Sequence, residues 1–124
     1  MVYASGSIGL SPETKAIVPG GVAAEARQVL ENMKNIVEAA GSDLTKVSMY
    51  AFLIYYYSTL NFKFTCFYDK VVKCTVLLTD MASFAVVNGV YAEYFPVDPP
   101  ARMTYAVAAL PLGALVEIDC IATL

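Results

Sequence analysis

The last quarter of the chain leaves the fewest structural options. Pro99 and Pro100 lack amide donors and impose an extended entry, the residues after them alternate, and Leu110-Pro111-Leu112-Gly113-Ala114 carries the residues of a turn. A β-rich run over residues 115–124 follows, so two strands joined by a tight connection are predicted, the first with one face buried. Arg102 stands at the mouth of that first strand. Its planar guanidinium suits a carboxylate, which makes a pocket for a small acid one reading and a structural ion pair the other.

Upstream, the pattern changes period. Val22, Ala26, Val29, Met33, Val37 and Ala40 recur at spacings of three and four, which predicts an amphipathic helix ended by Gly41, with Glu25, Arg27, Glu31, Lys34 and Glu38 on its other faces. Before it, residues 1–10 read as a strand, residues 11–15 as a turn, and Ala16-Ile17-Val18 as a short returning partner. Gly20-Gly21 then breaks the chain; without a surrounding Gly-x-Gly-x-x-Gly pattern it is a helix entry rather than a phosphate cradle. Residues 71–79 predict a central strand, with Lys73 and Thr75 on one side and Val72, Cys74, Val76 and Leu78 on the other. Asp80 takes the N-cap position of a second helix whose stripe is Phe84, Val87, Tyr91 and Tyr94, and Pro96 stops it. Asn88 lies on this helix, where an asparagine commonly bonds its neighbours or solvent. The order of elements defines an α+β class in which both helices can cover one face of a mainly antiparallel or mixed sheet. The opposite face then needs a partner, so an oligomer is expected.

Composition narrows the chemistry. A length of 124 residues supports one domain, and the net charge is −3 with no histidine. Histidine general bases and histidine metal ligands are thereby excluded, and the acidic balance offers no footprint for nucleic acid. Cys66, Cys74 and Cys120 have neither metal-ligand nor redox-motif spacing, so reduced, structurally buried thiols and no metal site are expected. Cys120 falls close to Glu117, yet no base stands beside it to make a thiolate. Residues 1–10 show neither a signal peptide nor a transit peptide, so the sequence as written is expected in the cytoplasm; a longer N-terminus would admit plastid or mitochondrion.

Pro100-Ala101-Arg102 before a strand, Val107-Ala108-Ala109-Leu110-Pro111 as its exit, and Val116-Glu117-Ile118-Asp119-Cys120-Ile121-Ala122 as the next strand resemble the RidA (YjgF) family of reactive-intermediate deaminases. Tyr3-Ala4-Ser5-Gly6-Ser7-Ile8-Gly9-Leu10 resembles that family's Ser-Gly strand, residues 25–41 its first helix, and residues 72–95 its central strand and second helix. The resemblance implies a chorismate-mutase-like fold with two helices packed on one face of a mixed sheet, a homotrimer with ligand clefts between subunits, and no cofactor. It implies hydrolysis of small 2-imino acids such as 2-iminobutanoate and 2-iminopropanoate to 2-keto acids and ammonia. Arg102 falls on the family's carboxylate-binding arginine and Glu117 on its acid/base glutamate. Backbone groups around Cys120 and the Ser5-Gly6 strand would complete the contacts, Asn88 would lie near the cleft, and Thr104 would line the pocket. Glu117 read by itself is equally a solvated strand carboxylate. The family's upstream Gly-Pro-Tyr-Ser type segment has no match, and Tyr3 is not the counterpart of its tyrosine. A ribonuclease or translation-inhibiting activity, a label attached to relatives, is the alternative; the acidic charge and the lack of histidine weigh against it.

Residues 47–70, 24 in all, match nothing in that family, so a single domain over 1–124 interrupted by this insert is expected. Nine of the fifteen aromatic residues lie between Tyr50 and Tyr68, which accounts for much of the 58% hydrophobic content. The uncharged run from Val47 to Phe62 stops at Lys63, short of the roughly 20 residues that span a bilayer, so no membrane partner is expected. Val47-Ser48 can be encoded by GTAAGT and Lys70 by a codon ending in AG, the marks of a retained intron. A non-functional product of such a transcript is therefore a further alternative, and residues 47–57 have the β-propensity to compete for the central strand position.

Overall fold

Helix α1, Gly21–Ala39, forms where the three-and-four spacing places it and buries Ala26, Val29, Leu30, Met33 and Val37 along one stripe. Its end is a double-bonded cap: the Gly41 amide donates to the Glu38 carbonyl at 2.9 Å and the Ser42 amide to the Val37 carbonyl at 3.0 Å. Gly41 can close this geometry because its φ of +83° costs a residue without a Cβ nothing. The computed structural model describes residues 1–42 and 70–124. The insert and the competing strand read from residues 47–57 lie outside the described residues, apart from Lys70; so does Cys66.

Four strands make one mixed sheet in the order β1-β4-β2-β3, where β1 is Val2–Ile8, β2 Val71–Leu78, β3 Ala101–Ala106 and β4 Val116–Ala122. β4 runs antiparallel to both of its neighbours, and β2 and β3 are parallel. The parallel pair needs a crossover, which helix α2, Phe84–Tyr94, supplies. Asp80 caps the short 3₁₀ turn leading into α2, its carboxylate accepting from the Ala82 amide at 2.9 Å. On β4 the alternation is complete: Val116, Ile118, Cys120 and Ala122 are buried with the helices, while Glu117, Asp119 and Ile121 belong to the opposite face.

Four local expectations are corrected. Ala16-Ile17-Val18 forms no sheet strand; a single bridge joins Leu10 to Ile17. Val72 is 41% exposed rather than part of the buried side, because a register shift between Val71 and Lys73 breaks the alternation and puts Val71 inside instead. β3 has no fully buried residue: among the described strands it is the sheet edge, paired with β2 on one side, and Met103 and Tyr105 are 47% and 46% exposed. Glu25, assigned by polarity to a solvated face, is 4% exposed and accepts the Leu115 amide at 2.8 Å. That bond ties α1 to the start of β4. Gly9 lies against the same turn of α1, where a Cβ would come within 2.9 Å of the Glu25 backbone.

Candidate functional site

The sheet divides the predicted site residues into two groups. Arg102, Thr104 and Asn88 gather at the β3 edge, on the face covered by α2, since Arg102 pairs with the buried Cys74 and Thr104 with the buried Val76. Glu117, Ser5 and Gly6 gather at the β1–β4 edge; Glu117 occupies the opposite face of the sheet and registers against Ile8 and Leu77. One intervening strand, β2, and a change of face therefore separate Arg102 from Glu117 within one chain, although their strands are consecutive in sequence.

At the β3 edge the arginine is held by α2. Its Nη2 donates to Asn88 Oδ1 at 2.8 Å, and its guanidinium carbon lies 4.6 Å from the centre of the Tyr91 ring and 5.6 Å from that of Phe84. Phe84, Asn88 and Tyr91 sit at i, i+4 and i+7, one side of the helix, so the sequence sets the platform by helical spacing. The ion pairs among the described residues are Arg27 with Glu93 and Lys34 with Glu31, and Arg102 takes part in neither. Its charge is held by neutral partners: an amide oxygen and two aromatic faces. A cation oriented in this way keeps its capacity for an anion. A concavity of about 330 Å³ adjoins it, lined by Asn88, Tyr91, Ala92, Phe95, Pro99 and Pro100. The platform rings and this apolar wall are the parts that sequence reasoning missed; the i, i+4, i+7 pattern was their signal.

At the other edge β1 carries a bulge. Ala4 pairs with Cys120 and Ser7 with Ile118, so Ser5 and Gly6 together oppose Asp119 alone. The Glu117 side chain reaches over this bulge. A Cβ built on Gly6 would stand 2.8 Å from the Glu117 carboxyl carbon and 3.1 Å from its Cγ. On β2, the Thr75 amide donates to Asp119 Oδ1 at 3.1 Å.

Cys120 is in neither group. Its thiol is buried beside Cys74, and its backbone is registered in the ladders of both β1 and β2. Burial pushes the Cys74 thiol up to about 11 and the Cys120 thiol up to about 12, and the Tyr91 hydroxyl rises too, first through burial and then through the Cys74 thiol it faces. The Tyr91 hydroxyl is buried without a hydrogen-bond partner among the described residues. Such thiols are not nucleophiles at neutral pH. They also set a pH response. Unfolding returns each thiol to its ordinary value of 9.0, so above pH 9 the unfolded chain sheds protons that the folded chain keeps. Stability is expected to be unaffected by these groups below pH 9 and to fall as pH rises toward 11 and 12. Urea midpoints measured from pH 8 to 11 should decline less steeply for the Cys74→Ala/Cys120→Ala chain than for the wild type.

Among the described residues, a mixed sheet with two helices on one face and an arginine held at its edge by neutral partners defines an α+β domain. The family model described as Endoribonuclease L-PSP matches residues 1–124, and the chain belongs to this family, that of the RidA/YjgF proteins. It is 44% identical over 124 residues to the chloroplastic Reactive Intermediate Deaminase A of Arabidopsis thaliana, covering all of this chain and 54% of that protein. It is 42% identical over 121 residues to the 2-iminobutanoate/2-iminopropanoate deaminase of Rattus norvegicus, covering 98% of this chain and 71% of the relative. The chain thus spans about half the length of the first relative and somewhat more of the second. Among solved structures, RidA from the Antarctic bacterium Psychrobacter sp. PAMC 21119 superimposes with a TM-score of 0.76 at 38% identity, covering 98% of this chain and 79% of that one. No described helix is long and apolar enough to cross a membrane.

Proposed function

We propose that this chain hydrolyses small 2-imino acids, of the kind named for its deaminase relatives, to 2-keto acids and ammonia, in a site built from two copies of the chain. The observation that carries the reading is Arg102: a guanidinium oriented by Asn88 and Tyr91 and without a carboxylate partner among the described residues. It binds the substrate carboxylate through its planar donor fork. Glu117 then takes a proton from water as the water oxygen bonds to the imine carbon. That proton is returned to the nitrogen, giving a carbinolamine; Glu117 then carries the carbinolamine hydroxyl proton to the nitrogen, the carbon–nitrogen bond breaks as the keto group forms, and ammonia leaves.

Arg102 and Glu117 do not share a face within one chain, so a site that uses both needs Glu117 of one protomer opposite Arg102 of another. The exposed sheet face supports this assembly: Tyr3 is 74% exposed, and Met103 and Tyr105 show nearly half of their surface. A homotrimer, as the family resemblance implies, closes such a head-to-tail contact into a ring. Thr104 lines the substrate side, two residues along β3 from Arg102.

The test couples a threonine dehydratase, which generates 2-iminobutanoate, to the purified chain and follows ammonia and 2-ketobutanoate release. The wild type is expected to accelerate release. Arg102→Lys is expected to lose about ten- to a hundredfold in kcat/KM, since an ammonium cannot make the two parallel bonds. Normal turnover by that variant, or no acceleration by the wild type, would overturn the reading.

A further inference from the structure

We infer that Gly6 is a positioning residue for Glu117: its missing side chain is the space in which the Glu117 carboxylate rests. The inference builds on the deaminase reading of Glu117, but its geometry is independent of that reading. Three observations carry it. Gly6 does not have a positive φ, so its backbone alone does not call for glycine. What calls for glycine is the contact, because a Cβ there would overlap the Glu117 carboxylate, with its carboxyl carbon 2.8 Å away. The bulge of Ser5 and Gly6 opposite Asp119 brings this backbone up beneath the side chain from the neighbouring strand.

The consequence is directional. A carboxylate that acts on water must sit within hydrogen-bond reach of it and keep an orbital aimed at the proton. On a strand face a glutamate has three rotatable bonds and open solvent above it. Lying along bare glycine backbone fixes where its head group rests and leaves the outward oxygen to the water. Any side chain at position 6 turns the carboxylate away while leaving the strands paired. In this role Gly6 acts through Glu117, separately from any contact its backbone makes.

The experiment uses Gly6→Ala in the full chain, beside Glu117→Gln and the double variant. Gly6→Ala is expected to keep the far-ultraviolet spectrum and the oligomeric state of the wild type, and to lose about ten- to a hundredfold in kcat with KM within about twofold. In the Glu117→Gln background the same substitution should cost less than about twofold more, since the group it displaces no longer takes a proton. A merely structural glycine would cost the same factor in both backgrounds, and that result overturns the inference. A crystal structure of Gly6→Ala decides the matter without any activity. A displaced Glu117 carboxylate over an unchanged β1–β4 ladder supports the inference, and an unmoved carboxylate overturns it. If the wild type proves inactive on imines, the deaminase reading fails while the crystal structure still tests the contact.

Discussion

Mixing two inactive chains is expected to restore activity. Arg102→Ala keeps Glu117, and Glu117→Gln keeps Arg102, so each homo-oligomer has only damaged sites; Glu117→Gln alone is expected to lose about a hundredfold or more. Unfolded together in equal amounts and refolded, the two chains assort at random. A site that draws its arginine from one protomer and its glutamate from the next has both groups intact in about one case in four. Roughly a quarter of the wild-type rate should therefore return, from a baseline near zero, and it should return only after exchange of subunits. The expectation follows from topology. Arg102 registers with Cys74 on the helix-covered face, Glu117 registers with Leu77 on the other, and β2 stands between their strands. No side-chain rotation carries a glutamate through a hydrogen-bonded sheet. Mixed chains with no more activity than the separate ones would mean that Arg102 and Glu117 do not act in one shared site.

This division was not legible in the sequence, and the reason is physical. Residues 101–122 read as two consecutive strands, and consecutive strands usually lie side by side. Here the parallel β2–β3 pairing inserts β2 between them, a long-range choice that no local pattern announces. What local patterns fix was legible. The stripe of α1, its closure at Gly41, the Asp80 cap and the alternation of β4 all depend on neighbours within a few residues, and all are present. Glu25 and Val72 were misplaced because polarity and strict alternation are averages. A buried glutamate is stable when one amide, that of Leu115, meets it, and a single bulge reverses the inside and outside of a strand. Arg102 and Glu117 were paired as a site only through the resemblance; residue type alone left a structural ion pair open for the one and a solvated carboxylate for the other. The platform under Arg102 was legible in principle, because Phe84, Asn88 and Tyr91 share one helical side, but a helix stripe reads first as core. Gly6 was drawn in only through the resemblance to a Ser-Gly strand, and only the fold shows which side chain needs the space that a glycine leaves.

Removing residues 47–70 is expected to leave the described fold intact and to raise the yield of soluble, assembled protein. The flanking residues make this a geometric expectation. Ser42, the last residue described before the insert, is buried and its hydroxyl donates to the Thr123 carbonyl. Lys70, the first described after it, accepts the Thr123 amide at 2.6 Å. Both flanks therefore converge on one residue beyond the end of β4. Four residues, 43–46, reach about 13 Å when extended, ample for a gap whose two sides meet at Thr123. The junction also conserves chemistry, because the deletion sets Lys46 directly before Val71, replacing one lysine by another, and the Thr123 amide needs only a backbone carbonyl there. Closing the shorter loop lowers the entropic cost of folding by roughly 1.7 kcal/mol, since that cost grows with the logarithm of length. The larger effect lies in the unfolded chain, which loses nine aromatic residues and a β-prone run able to pair with the wrong strand edge. Size-exclusion chromatography of the two purified chains at equal concentration checks this. The shortened chain should elute as a single assembled species with less material in the void volume. Urea unfolding should give it a midpoint equal to or above that of the parent. A shortened chain that aggregates more, or unfolds at lower urea, would show that residues 47–70 are part of what holds the domain together.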